Sequence, residues 1–460
     1  TLIIYYISKL KCLFGGFIMN AVVIAVIIML ILSLLRVNVV IALMVGALAG
    51  GLTGGLGLGQ TVSVFTEGLG GNATVAVSYA LLGAFAVALT KTGLPDAMVE
   101  AAVRLIGKEG DARRKTLSKV LIVFVILIVS CMSQNVVPVH IAFIPVLIPP
   151  LLKILNELQV DRRLIACVMT FGLTAPYILL PVGFGQIFQG ILKDNMKDAG
   201  LSVTLADIPV AMVIPVAGMI VGLLLAVFVY RKPRTYDMKE IAGQKPVSYT
   251  KKSLTIAVLA IAVSLSVQLY LSQSLDVDGM IFGALSGLAV LFVSGAMKKG
   301  EADELITNGM NMMAFIGFVM LAAAGFASVL EKTGDVKALV EASTGMISHN
   351  QVIGALLMLV VGLLITMGIG SSFATIPIIT TIFVPLCLQL GFSPMATIAI
   401  IGTAAALGDA GSPASDSTLG PTSGLNADGQ HHHIWDTCVP TFIYYNIPLI
   451  LFGWIAAMVL

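Results

Sequence analysis

Long apolar runs, separated by short polar segments, are the main feature of this chain. They cover residues 19–35, 38–55, 73–91, 117–155, 163–185, 207–230, 253–272, 279–296, 313–331, 351–390, 394–418 and 438–459. A helix needs about 20 apolar residues to cross the hydrocarbon core of a bilayer, and fewer where it is broken. The pattern therefore predicts an all-α polytopic membrane protein.

Four of these runs predict irregular spans. Two of them, 117–155 and 351–390, are twice the length of a span and carry polar breaks, the second near Gly370–Ser372. Each predicts a re-entrant hairpin. The run that follows each hairpin, 163–185 or 394–418, is interrupted by prolines and glycines and predicts a broken helix. Non-helical backbone at membrane depth is tolerated where it is buried in protein or lines a water-filled cavity.

The two halves of the chain have the same order of elements, and one short segment is repeated. Lys91–Ala101 reads KTGLPDAMVEA and Lys332–Ala342 reads KTGDVKALVEA, with seven identities in eleven positions. Internal repeats are common in transporter folds. A chance resemblance between two amphipathic helices is the alternative interpretation.

The domain boundaries follow from this duplication. We expect a first inverted repeat over 19–230, a polar cytoplasmic linker over 231–252 and a second repeat over 253–460. Residues 1–18 have no small-residue cleavage site, so a secretory signal peptide is not expected there. An upstream extension and an interfacial segment both remain open for them.

Lysine and arginine positions favour opposite orientations for the two repeats. If both hairpins return to the side they entered, each half crosses the membrane five times. Because five is an odd number, the second half then starts on the opposite side of the membrane from the first and has the inverted orientation. With residues 92–116 in the cytoplasm, twenty Lys and Arg fall inside and four outside, in agreement with the positive-inside rule. We therefore predict ten spans, two hairpins and both termini outside.

Composition excludes several classes of protein. Apolar residues make up 58% of the chain and charged residues 11%, against about 25% charged in soluble domains. The five cysteines stand singly, without the spacing of a metal, redox or disulfide motif, and are interpreted as core residues. No nucleotide or nucleic-acid motif is present, and the expected partner is the lipid bilayer. A membrane-embedded enzyme is disfavoured because the carboxylates lack a partner motif such as HExxH.

The predicted hairpin breaks carry oxygen-bearing side chains. The first has Ser133, Gln134 and Asn135, and the second has Ser371, Ser372 and Thr375. Sodium is a hard cation, so it should prefer such ligands by analogy with the hard divalent ions. The positive N-termini of the following half-helices would instead favour a carboxylate group. The alternative is that these side chains only form hydrogen bonds across packed helices.

The second broken run contains the strongest candidates for chemistry. Asp409 and Asp416 are accompanied there by Ser412 and Ser415. Ionised carboxylates inside a bilayer are costly and commonly mark ion pathways. A carboxylate that binds Na⁺ when ionised and releases it when protonated would couple the two ions. Asp409 is the preferred coupling residue; a capping role for it, and a position of Asp416 near the interface, are the alternatives.

Histidines are weaker candidates. His140 follows the first hairpin break and is either a bonded core residue or part of a proton relay. His431–His433 lie in a loop before the last span, for which we expect an interfacial position anchored by Trp435 rather than a metal patch. The glycine-rich stretch 46–57 lacks the ending of a phosphate loop, and we interpret it as close helix packing.

Residues Gly408–Thr437 read GDAGSPASDSTLGPTSGLNADGQHHHIWDT. This tract resembles the NhaC-type Na⁺/H⁺ antiporter family and its amino-acid-transporting relatives. The resemblance implies inverted repeats with re-entrant hairpins, an elevator-type movement, and Na⁺ and H⁺ as coupling ions without another cofactor. Carried onto this chain, it implies the following ion-binding residues: Ser133, Gln134, Asn135, Ser371, Ser372, Asp409 and Ser412.

The functional hypothesis is a secondary transporter of the bacterial inner membrane, and Na⁺/H⁺ antiport comes first. The alternative is ion-coupled transport of an amino acid or another small carboxylate. The residues at the two hairpin breaks differ from the Ser-Asn-Thr motif of the dicarboxylate-transporting branch of the larger ion-transporter group. This difference disfavours a dicarboxylate substrate. An ion channel is disfavoured because duplicated hairpins and broken helices suit alternating access. By analogy, the glycine-rich first spans of each half could form a homodimer scaffold.

Overall fold

The computed structural model describes residues 20–94, 97, 112–135, 144–182, 184–237, 249–275, 277, 279–297, 299–339 and 350–460. The predictions for residues 1–18 and His140 lie outside these ranges. Most of the first repeated segment and the middle of the linker lie outside them as well.

Within the described ranges, the first half of the chain is mainly helical. Its helices are α1 (Ala21–Leu34), α2 (Val39–Thr53), α3 (Leu58–Gly68), α4 (Ala73–Thr90), α5 (Ala112–Asn135), α6 (Ile144–Glu157), α7 (Arg162–Leu179), α8 (Phe184–Asp198) and α9 (Asp207–Val229). A 3₁₀ turn over Leu69–Asn72 joins α3 to α4.

The second half repeats this helical character. Its helices are α10 (Lys251–Leu275), α11 (Met280–Val293), α12 (Lys299–Thr333), α13 (Gln351–Ile369), α14 (Ser372–Gln389), α15 (Pro394–Ala406), α16 (Asp416–Leu425) and α17 (Ile447–Val459). Two π-helical stretches, His433–Cys438 and Phe442–Asn446, lead into α17 and form one 27-residue apolar span with it.

Membrane-length helices confirm the polytopic class. Within the described ranges, seven helices are long and apolar enough to cross a bilayer, and five shorter apolar helices accompany them. Helix α3 is an element that the apolar pattern missed, because its sequence LGQTVSVFTEG is too polar to stand out. With its 3₁₀ turn it meets α4 at a bend of 44°.

Within the described ranges, helix breaks lie at three of the four predicted positions, whereas Ser133–Asn135, the predicted first hairpin break, belong to helix α5. Helices α13 and α14 are separated by Gly370, whose φ of 75° is accessible to glycine at low cost, and by Ser371. Helix α7 ends at Leu179 before α8, and α15 ends at Ala406 before α16. Residues 136–143, between α5 and α6, lie outside the described ranges. The return of each hairpin to its side of entry stays a prediction.

The repeated Lys-Thr-Gly sequence forms the same turn in both halves. Helices α4 and α12 end there, and both following glycines, Gly93 and Gly334, have a φ of 73°. The Thr92 hydroxyl donates to the carbonyl oxygen of Leu89 at 2.6 Å, and the Thr333 hydroxyl donates to that of Leu330 at 2.7 Å. The local sequence identity therefore corresponds to an identical helix ending.

The helices divide into two groups that pack mainly within themselves. Helices α1–α4 and α10–α12 form one, here called the scaffold group, and α5–α9 with α13–α17 form the other, the core group. Small residues permit close approach inside the scaffold group. A Cβ on Gly309 would lie 2.3 Å from Ala84 Cα, and one on Gly50 would lie 2.8 Å from Ala25 Cβ. Within the glycine-rich stretch, Gly46, Gly50, Gly51 and Gly54 make such close approaches, whereas Gly55 and Gly57 face open space.

Candidate functional site

A cavity of about 360 Å³ lies between the scaffold and core groups. Residues from α3, its 3₁₀ turn and α12 form the scaffold wall: Gly68, Gly71, Asn72, Met320, Ala323, Ala324, Ala327, Ser328 and Glu331. The core wall consists of Tyr177, Ile369, Gly370, Ser371, Ser372, Phe373, Ala374, Asp409, Ala414, Asp416 and Ser417. The break between α13 and α14 and the break between α15 and α16 therefore face the same space.

The break between α15 and α16 is held by a side chain from the end of the chain. Gly408 and Gly411 both have a φ of 88°, which turns the backbone out of the helix. Asn446 accepts a hydrogen bond from the Gly408 amide at 2.9 Å and donates to the Ala410 carbonyl. Backbone groups freed inside a membrane must find such partners. The Asn446 amide thus fixes the segment that carries Asp409.

Asp409 is 9% exposed and is bonded by three hydroxyl groups. Ser415 Oγ donates to its Oδ1 at 2.6 Å. Ser417 Oγ and Tyr177 Oη donate to its Oδ2 at 2.9 and 2.8 Å. In the described part of the chain, no lysine, arginine or histidine forms an ion pair with this carboxylate. Neutral donors alone therefore hold a buried acidic group at the cavity wall.

Tyr177 joins Asp409 to the break between α13 and α14. Its hydroxyl lies 3.0 Å from Ser372 Oγ as well as bonding Asp409. Ser371 is the N-cap of α14, with its hydroxyl accepting from the Ala374 amide at 3.4 Å. One tyrosine from the first half of the chain thus connects two broken segments of the second half.

An aromatic cluster fixes Tyr177 in place. Its ring centroid lies 5.3 Å from that of Phe188 and 5.8 Å from that of Phe373. Phe373 also packs edge-to-face on Phe188 at 5.9 Å and on Phe184 at 6.0 Å. Aromatic pairs at these distances are favourable. The cluster holds α7, α8 and the start of α14 together beside the cavity.

Two further carboxylates line the cavity. Asp416 begins α16 and accepts a hydrogen bond from Tyr79 Oη of α4 at 3.2 Å. Glu331 lies on the scaffold wall, near the end of α12. The described lining therefore carries three acidic side chains and no lysine, arginine or histidine. Such a cavity favours positively charged ligands.

Sequence comparison identifies the family to which this arrangement belongs. Residues 168–454 match the Na⁺/H⁺ antiporter family, and residues 20–106 match a second family described in the same terms. The chain belongs to the Na⁺/H⁺ antiporter family. It is a multi-pass membrane protein with a transport function, as the sequence hypothesis held.

Similar proteins in this antiporter family occur in several bacteria. "Putative amino acid transporter YuiF" of Bacillus subtilis is 80% identical over 96% of this chain and 100% of its own length. An uncharacterised membrane protein of Vibrio parahaemolyticus is 58% identical over 88% of this chain and 92% of its own length. One from Haemophilus influenzae is 52% identical over 88% of this chain and 91% of its own.

Solved transporter structures resemble this antiporter family member only distantly. The YdaH transporter of Alcanivorax borkumensis is 15% identical, with a TM-score of 0.40 over 86% of this chain and 87% of that one. MtrF of Neisseria gonorrhoeae is 16% identical, with the same TM-score, over 88% of this chain and 85% of that one. At this level of similarity neither carries an argument about the present site.

The predicted site residues of this antiporter family member fall into three sets. The first set lines the cavity and consists of Ser371, Ser372, Asp409 and Asp416. Ser415 is outside the cavity lining but donates a hydrogen bond to Asp409. Thr375 and Ser412 are buried away from the cavity lining: Thr375 bonds the Ser371 carbonyl, and Ser412 accepts from the Ala414 amide. Ser133, Gln134 and Asn135 form the last residues of α5.

Sequence reasoning missed six polar residues at the site. They are Asn72, Tyr79, Tyr177, Ser328, Glu331 and Ser417. Tyr177 lies in the first broken run, where its hydroxyl gives no local signal of a site. Glu331 is the last residue of an apolar run and directly precedes the repeated Lys-Thr-Gly.

The histidine tract packs more deeply than the predicted interfacial loop. His431 and His433 are buried, and Trp435 is 42% exposed. His433 Nε2 donates to the Pro413 carbonyl at 2.9 Å, while His431 Nε2 lies 2.7 Å from Thr437 Oγ1. Burial lowers the pKa of His431 to about 3. His433 therefore supports the break near Asp409 through Pro413, and no metal cluster forms among the described residues.

A buried ion pair joins the two halves at the start of α7. Arg162 is fully buried and forms two bonds with Asp428, at 2.7 and 2.5 Å, and one with the Leu425 carbonyl at 2.8 Å. The Tyr236 ring covers its guanidinium at 4.3 Å. The first residues of the linker and the segment after α16 are thus tied to α7.

Proposed function

We propose that this protein is a secondary transporter in which Na⁺ and H⁺ compete for Asp409. The observation that carries the proposal is a buried carboxylate, held by hydroxyl donors and facing a cavity. Burial of an ionised carboxylate is costly unless the charge is compensated. A bound Na⁺ would compensate it, and a bound proton would remove the charge altogether.

The surroundings of Asp409 suit a hard cation. Sodium should prefer oxygen ligands, by analogy with Mg²⁺ and Ca²⁺. The hydroxyls of Ser415 and Ser417 donate to the carboxylate, and each has lone pairs that can face an ion instead. The site can therefore take up a cation by rotating hydroxyl hydrogens, without moving a helix.

The cavity supports a second candidate function, ion-coupled transport of an amino acid. Its volume of about 360 Å³ has room for ten or more water molecules at ~30 Å³ each, which is far more than one Na⁺ needs. Asp416 and Glu331 provide charge for an ammonium group in addition to Asp409. The N-terminus of α14 at Ser372 would face the carboxylate end of such a substrate.

For the movement, we propose two inverted repeats and an elevator-type displacement of the core group along the scaffold group. The matching turns at Gly93 and Gly334 support the duplication. The cavity between the groups supports a displacement there, since Asp409 would travel with the core group. The proposal places the protein in the bacterial inner membrane, with the 231–252 linker in the cytoplasm. By analogy, we propose that it forms a homodimer through its scaffold group.

Reconstituted liposomes test the coupling. A Na⁺ gradient is imposed, and internal pH is followed with a fluorescent dye, with and without a panel of amino acids. Proton flux that needs only Na⁺ supports antiport. Flux that appears only with one amino acid supports the second candidate and contradicts antiport. An absence of ion and amino-acid flux in every combination would contradict both.

Tyr177→Phe is expected to weaken Na⁺ dependence about tenfold without unfolding the protein. The substitution removes the hydroxyl shared by Asp409 and Ser372 but keeps the aromatic packing. A hydrogen bond to a charged group contributes about 1.5–3 kcal/mol. The measurement is the Na⁺ concentration for half-maximal flux, with Tyr444→Phe, outside the cavity lining, as control. Equal values for wild type and Tyr177→Phe would exclude this role.

A further inference from the structure

The hydrogen bond between Tyr79 and Asp416 crosses the boundary between the two helix groups. Tyr79 lies on α4 of the scaffold group and is 4% exposed. Asp416 begins α16 of the core group and lines the cavity. Tyr79 Oη donates to Asp416 Oδ1 at 3.2 Å. The bond therefore joins the two bodies at the edge of the space in which a ligand would bind.

The rest of the scaffold wall offers the core group few obstacles. Six of its nine cavity-lining residues are glycine, alanine or serine: Gly68, Gly71, Ala323, Ala324, Ala327 and Ser328. Small side chains leave a smooth surface, along which packed helices can be displaced without large steric barriers. The Tyr79–Asp416 bond is a charged contact beside this lining that displacement of the core group would have to break.

We propose that the Tyr79–Asp416 hydrogen bond holds the core group against the scaffold group, and that a cation entering the cavity releases it. The proposal rests on the displacement of the core group set out above. A cation bound at Asp416 competes with the phenol for the carboxylate lone pairs, because a cation takes the same oxygen that Tyr79 uses as acceptor. Cation binding would then lower the barrier to movement in the loaded protein.

This role differs from that of Asp409. The Asp409 carboxylate is bonded by Tyr177, Ser415 and Ser417, all within the core group, so those bonds travel with it. The Tyr79 bond must break for the groups to move past each other. Asp409 accordingly determines what binds, whereas Asp416 determines when the core group is free to move.

Two substitutions at this bond have opposite expected effects. Tyr79→Phe removes the donor and keeps the ring. We expect it to raise flux in the absence of the driving Na⁺ gradient about tenfold, the effect of removing one hydrogen bond to a charged group. Asp416→Asn keeps an oxygen acceptor for Tyr79 but removes the charge that attracts the cation. We expect it to lower Na⁺-stimulated flux about tenfold and to produce no leak.

The experiment compares the full-length variants with wild type in the same liposomes, with NaCl as the cation source. Tyr270→Phe, 62% exposed on α10, is the matched control and should behave as wild type. Wild-type flux in the assay establishes transport itself, so its absence would contradict the proposed function rather than this bond alone. Thermal unfolding of each purified variant separates a folding defect from a transport effect.

Each outcome decides the role of the bond. A leak in Tyr79→Phe together with loss of stimulation in Asp416→Asn supports it. Wild-type behaviour of a folded Tyr79→Phe overturns it, and so does loss of all flux in that variant, which would instead assign Tyr79 to ligand binding. Should Tyr79→Phe fail to fold, Asp416→Asn decides alone: wild-type stimulation by Na⁺ overturns the proposal, and loss of stimulation without a leak supports it.

Discussion

Asp409→Asn is expected to reduce ion-driven flux about 100-fold or more while leaving the protein folded in the membrane. Asparagine removes the charge and places an amide donor where one carboxylate oxygen accepts from hydroxyl groups. Loss of even one charged hydrogen bond is worth about 1.5–3 kcal/mol, and here the cation also loses its counter-charge. The measurement is initial flux in liposomes at saturating Na⁺.

A surface aspartate provides the control for this substitution. Asp194→Asn changes the same functional group on α8, where the side chain is 67% exposed and pairs with Lys193 at 3.3 Å. Exposed pairs contribute about 0–1 kcal/mol, so this variant should transport as wild type does. Wild-type flux by Asp409→Asn would remove Asp409 from the coupling mechanism.

Breaking the Arg162–Asp428 pair is expected to cost about 3–5 kcal/mol of stability, because it leaves an uncompensated charge in a buried place. The side chains are 0% and 2% exposed, and Arg162→Met or Asp428→Asn each removes one partner. Thermal unfolding in detergent measures the loss. Glu301→Gln, at an exposed pair with Lys91, is the control and should cost about 0–1 kcal/mol.

The same pair should contribute to acid sensitivity. Burial opposes ionisation of Asp428, but its contacts with Arg162 outweigh burial and hold the pKa of Asp428 below the usual range. Stability from the ionised carboxylate is therefore present above the ordinary aspartate pKa of about 3.9 and is lost as the pH falls through the lowered value. An identical acid-unfolding profile for wild type and Asp428→Asn would contradict this contribution.

Sequence patterns predicted the features that have local signals. Gly370, Gly408 and Gly411 interrupt apolar runs, and each marks a break that the structure contains. Asp409 was identified because a carboxylate stands out inside an apolar segment. The Lys-Thr-Gly repeat was recognised from identity alone, and its two glycines adopt the same conformation. Each of these signals is carried by short contiguous stretches of sequence.

Long-range partners had no such signal. Tyr177 reaches Asp409 across 232 positions of the chain, and Tyr79 reaches Asp416 across 337. A tyrosine in an apolar helix is compatible with simple packing, so nothing nearby marks its hydroxyl as part of a site. The burial of the histidine tract had no local signal either. His433 is buried with Pro413 and Thr422 as its hydrogen-bond partners, and both lie outside the tract.

The support of the Asp409 segment by Asn446 has a consequence for biosynthesis. Asn446 immediately precedes α17, near the end of the chain, and bonds the backbone at Gly408 and Ala410. During translation, Tyr177 leaves the ribosome long before this asparagine does. The proposed ion site would therefore remain unfinished until the final helix is inserted. A nascent chain stalled before Asn446 would occupy the membrane without a formed site, which would keep incomplete chains from dissipating the ion gradient.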